Sequence, residues 1–223
     1  HLMTDHERWI VAIHEAAHAV VTRATGATIT AQKVSIVSRG RQMGTAAEMM
    51  TDKDQFILQV PDMYRQLALL MAGVAGERLA FGSTSSGVGE DLHAATQFAR
   101  RMVTSFGMSE ELGLMTVGEQ GGEVFLGASL QDLGSVGPST LDLIDREVER
   151  FTSEAEERAM LILRHNWVSV NEVANALVEH ETLAGVALDA LLSTVHPMAI
   201  DELTVSDRSA GKGGNPFSHG EPV

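Results

Sequence analysis

Three residues near the start of the chain have the types and the spacing of a metal-dependent hydrolytic site. His14, Glu15 and His18 form a His-Glu-x-x-His (HExxH) pattern. Residues four apart lie on one face of a helix, so the two imidazoles can bind a single Zn²⁺ ion. A bound metal lowers the pKa of a water ligand to about 7, and Glu15 can accept the proton of that water as general base. The pattern predicts hydrolysis of a peptide bond by an activated water.

The sequence around this pattern predicts a buried amphipathic helix. Thr4 and Glu7 have the spacing of a capping box at its start, and Gly26 follows its end. The alternative is an ordinary amphipathic helix with two histidines, but buried histidines without partners are costly, so the helix favours metal binding. The apolar residues recur at helical spacing: Trp9, Ile10, Ile13, Ala17, Val20, Val21 and Ala24.

A catalytic zinc site needs a third protein ligand and an open position for water. The chain contains no cysteine, so this ligand must be a histidine or a carboxylate. Ala24 stands six residues after His18, which excludes the third histidine of the metzincin pattern. Spacing alone does not choose among the remaining candidates. They are Glu77, Asp91, His93, His165, His180 and His196.

The composition predicts a soluble, mainly helical protein. Of the 223 residues, 44% are hydrophobic but only 4% are aromatic, which favours packed helices over a β-sandwich. The longest apolar run, around residues 67–75, is shorter than a membrane span. The formal net charge of −14 argues against nucleic acid as the main partner.

Periodicity and turn signals place the other elements. A strand is expected at residues 28–39 with a return strand at 43–50, and a short hairpin is expected at 112–126. Gly73 and Gly76 lie inside a predicted helix and indicate close packing against another helix. Helices are expected at residues 62–81, 90–106, 140–165, 170–180 and 186–192.

The fold class that follows is mainly α with a small β-element. We expect an HExxH zinc-helix peptidase lobe at residues 4–138, a helical C-terminal region at 139–205 and a disordered tail at 206–223. The strand at residues 34–37 is either a plain sheet strand or an edge to which an extended substrate adds.

Several ordered blocks of this sequence resemble the peptidase domain of the FtsH family, the membrane-anchored ATP-dependent AAA zinc metalloproteases. The likeness covers about residues 9–192. Its blocks are residues 11–21 around the HExxH pattern, 34–40, the Gly-rich segment 72–82, and 86–92 with Ala95 and Thr96. Shorter matches lie at residues 107–109 and 123–127.

The resemblance implies a Zn²⁺ cofactor held by His14, His18 and Asp91, with Glu15 as the catalytic base. The alternative role for Asp91 is to cap its own helix, which Asp does well. Glu77 either orients a ligand histidine or is a solvated helix carboxylate. His93 is then a surface or packing histidine.

The resemblance also implies partners and a location. It predicts a homo-hexameric ring that cleaves unfolded or flexible polypeptides in protein quality control, at the cytoplasmic face of a bacterial inner membrane. An AAA ATPase domain is expected in a full-length parent. This sequence has no G-x-x-x-x-G-K-[ST] loop, so we expect either an excised peptidase domain or a stand-alone relative.

The sequence departs from the family pattern at three positions. Ala17 stands where Gly is usual, Val74 where Arg is usual, and Glu90 where Asn is common. We expect Val74 to alter subunit contacts. Two competing functions remain: a non-catalytic, zinc-stabilised oligomerisation module, and a zinc hydrolase that acts on small peptides.

Overall fold

The computed structural model describes residues 3–26, 33–37, 57–117 and 136–200. The chain forms two compact units, one of His1–Leu92 with Glu154–Val223 and one of His93–Ser153. The sequence-based boundary between residues 138 and 139 stays a prediction. The expected tail at 206–223 and the return strand at 43–50 lie outside the described residues.

The described elements confirm a mainly α fold with a small β-element. The strands are β1 (Lys33–Ser35) and β2 (Thr182–Ala184). The helices are α1 (Asp5–Ala24), α2 (Val60–Leu70), α3 (Ala72–Phe81), α4 (Gly89–Thr104), α5 (Pro138–His165), α6 (Trp167–His180) and α7 (Gly185–Leu192), and a 3-10 turn at Ser86–Val88 leads into α4. Among these helices, none combines the length and the apolar character needed to cross a bilayer.

Helix α1 begins at the predicted capping box. The Glu7 carboxylate accepts a hydrogen bond from the Thr4 backbone N–H at 2.7 Å, and the Thr4 hydroxyl accepts one from the Glu7 N–H at 3.2 Å. The helix ends at Ala24, and Gly26 turns the chain with φ 61°. The buried face of α1 consists mainly of Ala and Val and packs against α3 and α6, which places the HExxH segment in the core of the first unit.

The single helix predicted at residues 62–81 is wrong in one respect, because the structure has two helices there. Met71 has φ −88° and ψ 0°, which ends α2 and starts α3. The predicted close packing at the two glycines is confirmed. A Cβ atom on Gly73 would lie 2.3 Å from Cε1 of His14, and one on Gly76 would lie 2.6 Å from Cβ of Ala17.

Strands β1 and β2 form a two-stranded antiparallel sheet in the described part of the chain. Val34 pairs with Leu183, and both side chains are buried. The predicted strand at 28–39 is therefore observed over Lys33–Ser35, and one of its edges is occupied by β2. Of the hairpin predicted at 112–126, residues 112–117 form no strand, and the remainder lies outside the described residues.

The second unit contains most of α4 and the first half of α5. Arg100 Nη2 donates to Oδ1 of Asp145 at 2.8 Å. Glu147 is 4% exposed, and its carboxylate accepts two hydrogen bonds from the Arg150 guanidinium, at 2.9 Å each. Phe151 is fully buried.

Candidate metal centre

His14, His18 and Asp91 meet at one point in the first unit. Nε2 of His14 lies 2.9 Å from Oδ2 of Asp91, Nε2 of His18 lies 3.1 Å from the same oxygen, and the two Nε2 atoms are 3.2 Å apart. Helix α1 presents the two imidazoles one turn apart, and Asp91 reaches them from the first turn of α4. In the described part of the chain, this is the only group of three His or acidic side chains with ligand atoms close enough to share a metal ion.

The opposite nitrogen of each imidazole has a hydrogen-bond acceptor of its own. His14 Nδ1 lies 2.9 Å from Oε1 of Glu77, and His18 Nδ1 lies 3.0 Å from the backbone oxygen of Leu69. A carbonyl oxygen only accepts, so Nδ1 of His18 carries the hydrogen and Nε2 of the neutral ring carries a lone pair. Nδ1 of His14 likewise carries a hydrogen, because an ionised carboxylate only accepts, and its Nε2 atom offers a lone pair when a metal takes the place of its proton.

This arrangement places three electron-pair donors face to face, which fits a cation between them. Ligand atoms about 2.0–2.1 Å from a tetrahedral Zn²⁺ lie about 3.3 Å from one another, close to the three separations observed. Two histidines and one carboxylate are a donor set that zinc accepts, and Nδ1 bonded to a carboxylate or a carbonyl is the usual support of a metal-binding histidine. The residues present therefore fit a zinc ion.

The electrostatics of the cluster favour positive charge at the His14 imidazole. Burial alone lowers the pKa of His14, but hydrogen bonds to Asp91 and Glu77 outweigh it and raise the pKa to about 10. Burial alone raises the pKa of Asp91, but hydrogen bonds from both histidines hold it well below its usual value. The carboxylates that would keep a proton on His14 would equally hold a metal cation in its place.

Comparison with known proteins agrees with this geometry. The sequence model of peptidase family M41 matches residues 1–191. The chain belongs to peptidase family M41. ATP-dependent zinc metalloprotease FtsH 2 of Conexibacter woesei is 60% identical over 215 residues, which are 95% of this chain and 31% of that protein. ATP-dependent zinc metalloprotease FtsH of Chloroflexus aggregans is 37% identical over 203 residues, which are 90% of this chain and 31% of that protein. The corresponding protein of Akkermansia muciniphila is 39% identical over 187 residues, which are 82% of this chain and 22% of that protein.

These relatives confirm the resemblance to the FtsH peptidase domain. The chain spans between about a fifth and a third of the length of these curated relatives.

Glu15 follows the first histidine of the HExxH pattern and has a different environment from the three converging side chains. It is 5% exposed, and it makes no hydrogen bond or ion pair with any residue in the ranges that the structure describes. Burial raises the pKa of Glu15, although the nearby His18 and His14 oppose the rise. Because no described residue hydrogen-bonds to the Glu15 carboxyl group, it can exchange a proton with a bound molecule.

Glu77 is a buried support rather than a solvated carboxylate. It is 1% exposed, and besides accepting from His14 it accepts from the Ser85 backbone N–H and, at 3.1 Å, from the Ser85 hydroxyl. Burial alone raises the pKa of Glu77, but the hydrogen bonds from His14 and Ser85 outweigh it and lower the pKa. Glu77 thus joins a proposed ligand to the loop that leads into α4.

The structure also places the other residues for which the sequence left two roles open. Asp91 is the third residue of α4 rather than the residue before it, and its carboxylate contacts the two histidines. The other four histidines proposed as candidate ligands are exposed: His93, His165, His180 and His196. Val74 is 1% exposed, so its side chain lies in the core, and its expected effect on subunit contacts stays a prediction.

A cavity of about 220 Å³ lies beside His14 and Glu15. One part of its lining is a stripe of α1 that includes Ile10, Val11 and Glu15, and another part includes Ser85 and Gly87. Residues spaced by three, four and seven on a helix share one face, which explains the composition of this stripe. Sequence reasoning missed this stripe, because Ile10 and Val11 have the same apolar character as the core positions of α1.

Proposed function

We propose that this chain is the zinc-dependent endopeptidase module of an FtsH-type protease. His14, His18 and Asp91 hold the Zn²⁺ ion, and Glu15 is the general base. The observation that carries the proposal is the convergence of three electron-pair donors at 2.9–3.2 Å beside a buried carboxyl group that has no partner in the described residues.

When bound, the zinc ion acidifies a water ligand and polarises the carbonyl of the scissile peptide bond. The protein supplies the proton movements. Glu15 accepts the proton of the attacking water at a carboxylate oxygen and later delivers it to the nitrogen of the leaving amine. The C–O bond to the attacking water forms first, and the C–N bond breaks once the leaving nitrogen has received the proton. Glu77 and the Leu69 carbonyl orient the two imidazoles, so that both Nε2 atoms keep their lone pairs for the metal.

The number of protein ligands favours catalysis over a purely structural role. Structural zinc sites are closed by four protein ligands, whereas catalytic sites use three and leave a position for water or substrate. The described residues supply three. This is why the non-catalytic oligomerisation module is the weaker interpretation of the site.

We extend the proposal to the whole protein by analogy with the relatives, whose names describe ATP-dependent zinc metalloproteases. An AAA ATPase domain in a longer parent would deliver unfolded polypeptide to a hexameric ring of these modules at the cytoplasmic face of the inner membrane. Without that domain, the 223-residue chain should cleave only flexible substrates. Sedimentation analysis of a full-length parent tests the ring.

The deciding experiment compares Glu15→Gln with the unaltered chain after loading both with zinc. Glu15→Gln should keep one equivalent of zinc and lose about 10²–10⁴-fold in casein cleavage, the usual size of a general-base contribution. Zinc content is measured by mass spectrometry and cleavage by release of labelled casein fragments. Undiminished cleavage by Glu15→Gln would falsify the role of Glu15, and cleavage of dipeptides in place of casein would indicate the small-peptide hydrolase.

A further inference from the structure

The cavity beside Glu15 has a composition that selects one kind of substrate side chain. Its apolar lining comes from Met3, Ile10 and Val11, and its acidic lining comes from Glu7, Glu15 and Glu77. The described lining contains no Lys or Arg. A volume of about 220 Å³ is below the range of roughly 300–1,000 Å³ that holds whole small molecules, so the cavity has room for a single side chain.

Of the three acidic residues, only Glu7 is available to pair with a cationic side chain of a bound peptide. Glu77 is engaged by His14 and Ser85, and Glu15 is the proposed base. Glu7 is exposed, and its Oε2 atom accepts both hydrogen bonds from Thr4. Its other oxygen accepts no hydrogen bond from any residue that the structure describes. The hydrogen bonds from the Thr4 backbone and side chain lower the pKa of Glu7, so the carboxylate is ionised at neutral pH.

We propose that this cavity binds a Lys or Arg side chain of the peptide substrate and that Glu7 is its specificity-determining residue. The methylene stem of such a side chain lies along Met3, Ile10 and Val11, and its charged end meets Glu7, as long cationic side chains commonly divide between apolar and polar surroundings. The proposal rests on the proposed peptidase function of the same site.

The spacing along α1 limits where this side chain stands in the substrate. Eight residues separate Glu7 from Glu15, which is about 12 Å along the helix axis. That distance exceeds the reach of one side chain from the scissile bond itself. An extended peptide advances about 3.3 Å per residue, so the Lys or Arg belongs one or two positions away from the bond that is cut.

The test uses fluorogenic peptides with one fixed cleavage site and the 223-residue chain loaded with zinc. Norleucine, Lys or Glu is placed in turn at each of the two positions on either side of the scissile bond. Norleucine has the apolar stem of Lys without its charge. At one position, we expect kcat/KM for Lys to exceed that for norleucine by about two- to five-fold, the size expected of an exposed charge pair, and Glu to be the poorest. The preference should shrink at high salt.

Glu7→Gln is the matched variant, because Gln at this position still completes a capping box while the charge is removed. It should bring the Lys-to-norleucine ratio to about one. Asp5→Asn removes the same charge from the same turn but does not line the cavity, so it should leave the ratio unchanged.

The outcomes separate this proposal from the proposed function. The specificity role of Glu7 is overturned if Lys and norleucine peptides are cleaved at equal rates at every position, or if Glu7→Gln does not alter their ratio. In either case, Glu15-dependent cleavage of the norleucine peptides would still support the peptidase function. A preference for norleucine over Lys identifies a purely apolar pocket and also overturns it. No cleavage of any peptide or of casein overturns both proposals.

Discussion

Glu77 lies between His14 and Ser85 and accepts hydrogen bonds from both. Its Oε1 atom is 2.9 Å from Nδ1 of His14, and its carboxylate also receives the backbone N–H of Ser85. Ser85 caps the 3-10 turn that leads into α4, the helix that carries Asp91. One buried carboxylate therefore fixes the orientation of one proposed ligand and the approach of the segment that carries another. We therefore expect metal binding to depend on a residue that does not itself converge on the proposed metal position.

The first prediction concerns that dependence. Glu77→Gln should lower zinc affinity by about 10–100-fold. The Gln side chain has only one accepting oxygen, so it cannot replace the two carboxylate oxygens that accept from His14 and Ser85. Affinity is measured by competition with a chelator of known strength. Glu90→Gln removes an equal charge from an exposed position next to Asp91 and should leave the affinity unchanged. Equal affinities for the two variants would show that Glu77 does not support the site.

The second prediction concerns the space that Gly73 leaves for His14. A Cβ atom there would lie 2.3 Å from Cε1 and 2.5 Å from Nε2 of the imidazole. The ring cannot simply move aside, because Glu77 holds its Nδ1 atom. Gly73→Ala should therefore displace His14 and abolish stoichiometric zinc binding, although Ala is intrinsically better in a helix by about 1 kcal/mol. Zinc content and circular dichroism, measured together, separate loss of metal from loss of fold.

Two other glycines serve as controls for that substitution. Gly89 begins α4 with φ −60°, and a Cβ atom added to it would have no neighbouring atom within 4 Å, so Gly89→Ala should bind zinc normally. Gly76→Ala meets Cβ of Ala17 at 2.6 Å and should destabilise the packing of α3 on α1 without touching the imidazole. Full zinc occupancy in Gly73→Ala would contradict the steric account.

Local features of the site could be predicted from the sequence, whereas its tertiary partners could not. His14 and His18 are four residues apart, so helical geometry alone brings them together. Asp91 is 73 residues from His18, and no local rule relates them, so only the family resemblance pointed to it. The partner of His18 Nδ1 is the backbone oxygen of Leu69. Every residue type has this backbone oxygen, so the sequence does not indicate which one accepts.

The same distinction between local and tertiary features applies to the fold. The capping box at Thr4 and the five downstream helical regions follow from short-range patterns that tertiary contacts only reinforce. The break at Met71 had no signal, because apolar residues continue through it and the nearest glycine, Gly73, is inside α3. Strand β2 has only three residues, too few for a period-two pattern, and pairing with β1 decides its conformation.

The third prediction concerns the proposed third ligand and the effect of removing metal. Asp91→Ala should lose stoichiometric zinc, whereas His93→Ala, two residues further on and exposed, should keep it. A ligand that binds only the folded state stabilises it by mass action, so a chelator should lower the Tm of the unaltered chain. The same chelator should not change the Tm of Asp91→Ala. The measurement is thermal unfolding with and without chelator. If the chelator lowered the Tm of Asp91→Ala as much as that of the unaltered chain, Asp91 would not be a ligand.

The last prediction concerns the junction between α5 and α6. Asn166 is 2% exposed; its amide donates to the backbone oxygen of Ile162 at 3.0 Å, and its Oδ1 atom accepts from the His196 backbone N–H at 2.7 Å. Asn166→Ala leaves the His196 backbone N–H without this acceptor, whereas the Ile162 oxygen still accepts from the backbone N–H of residue 166. It should lower the free energy of unfolding by about 1–3 kcal/mol, measured by urea titration. Asn171→Ala removes only a bond to Trp167 O one turn back in the same helix, at 2.8 Å, where Ala is the better helix former. It should change stability by less than about 0.5 kcal/mol, as surface substitutions usually do. Equal unfolding midpoints for the two variants would mean that Asn166 does not tie the segment at His196 to the helix junction.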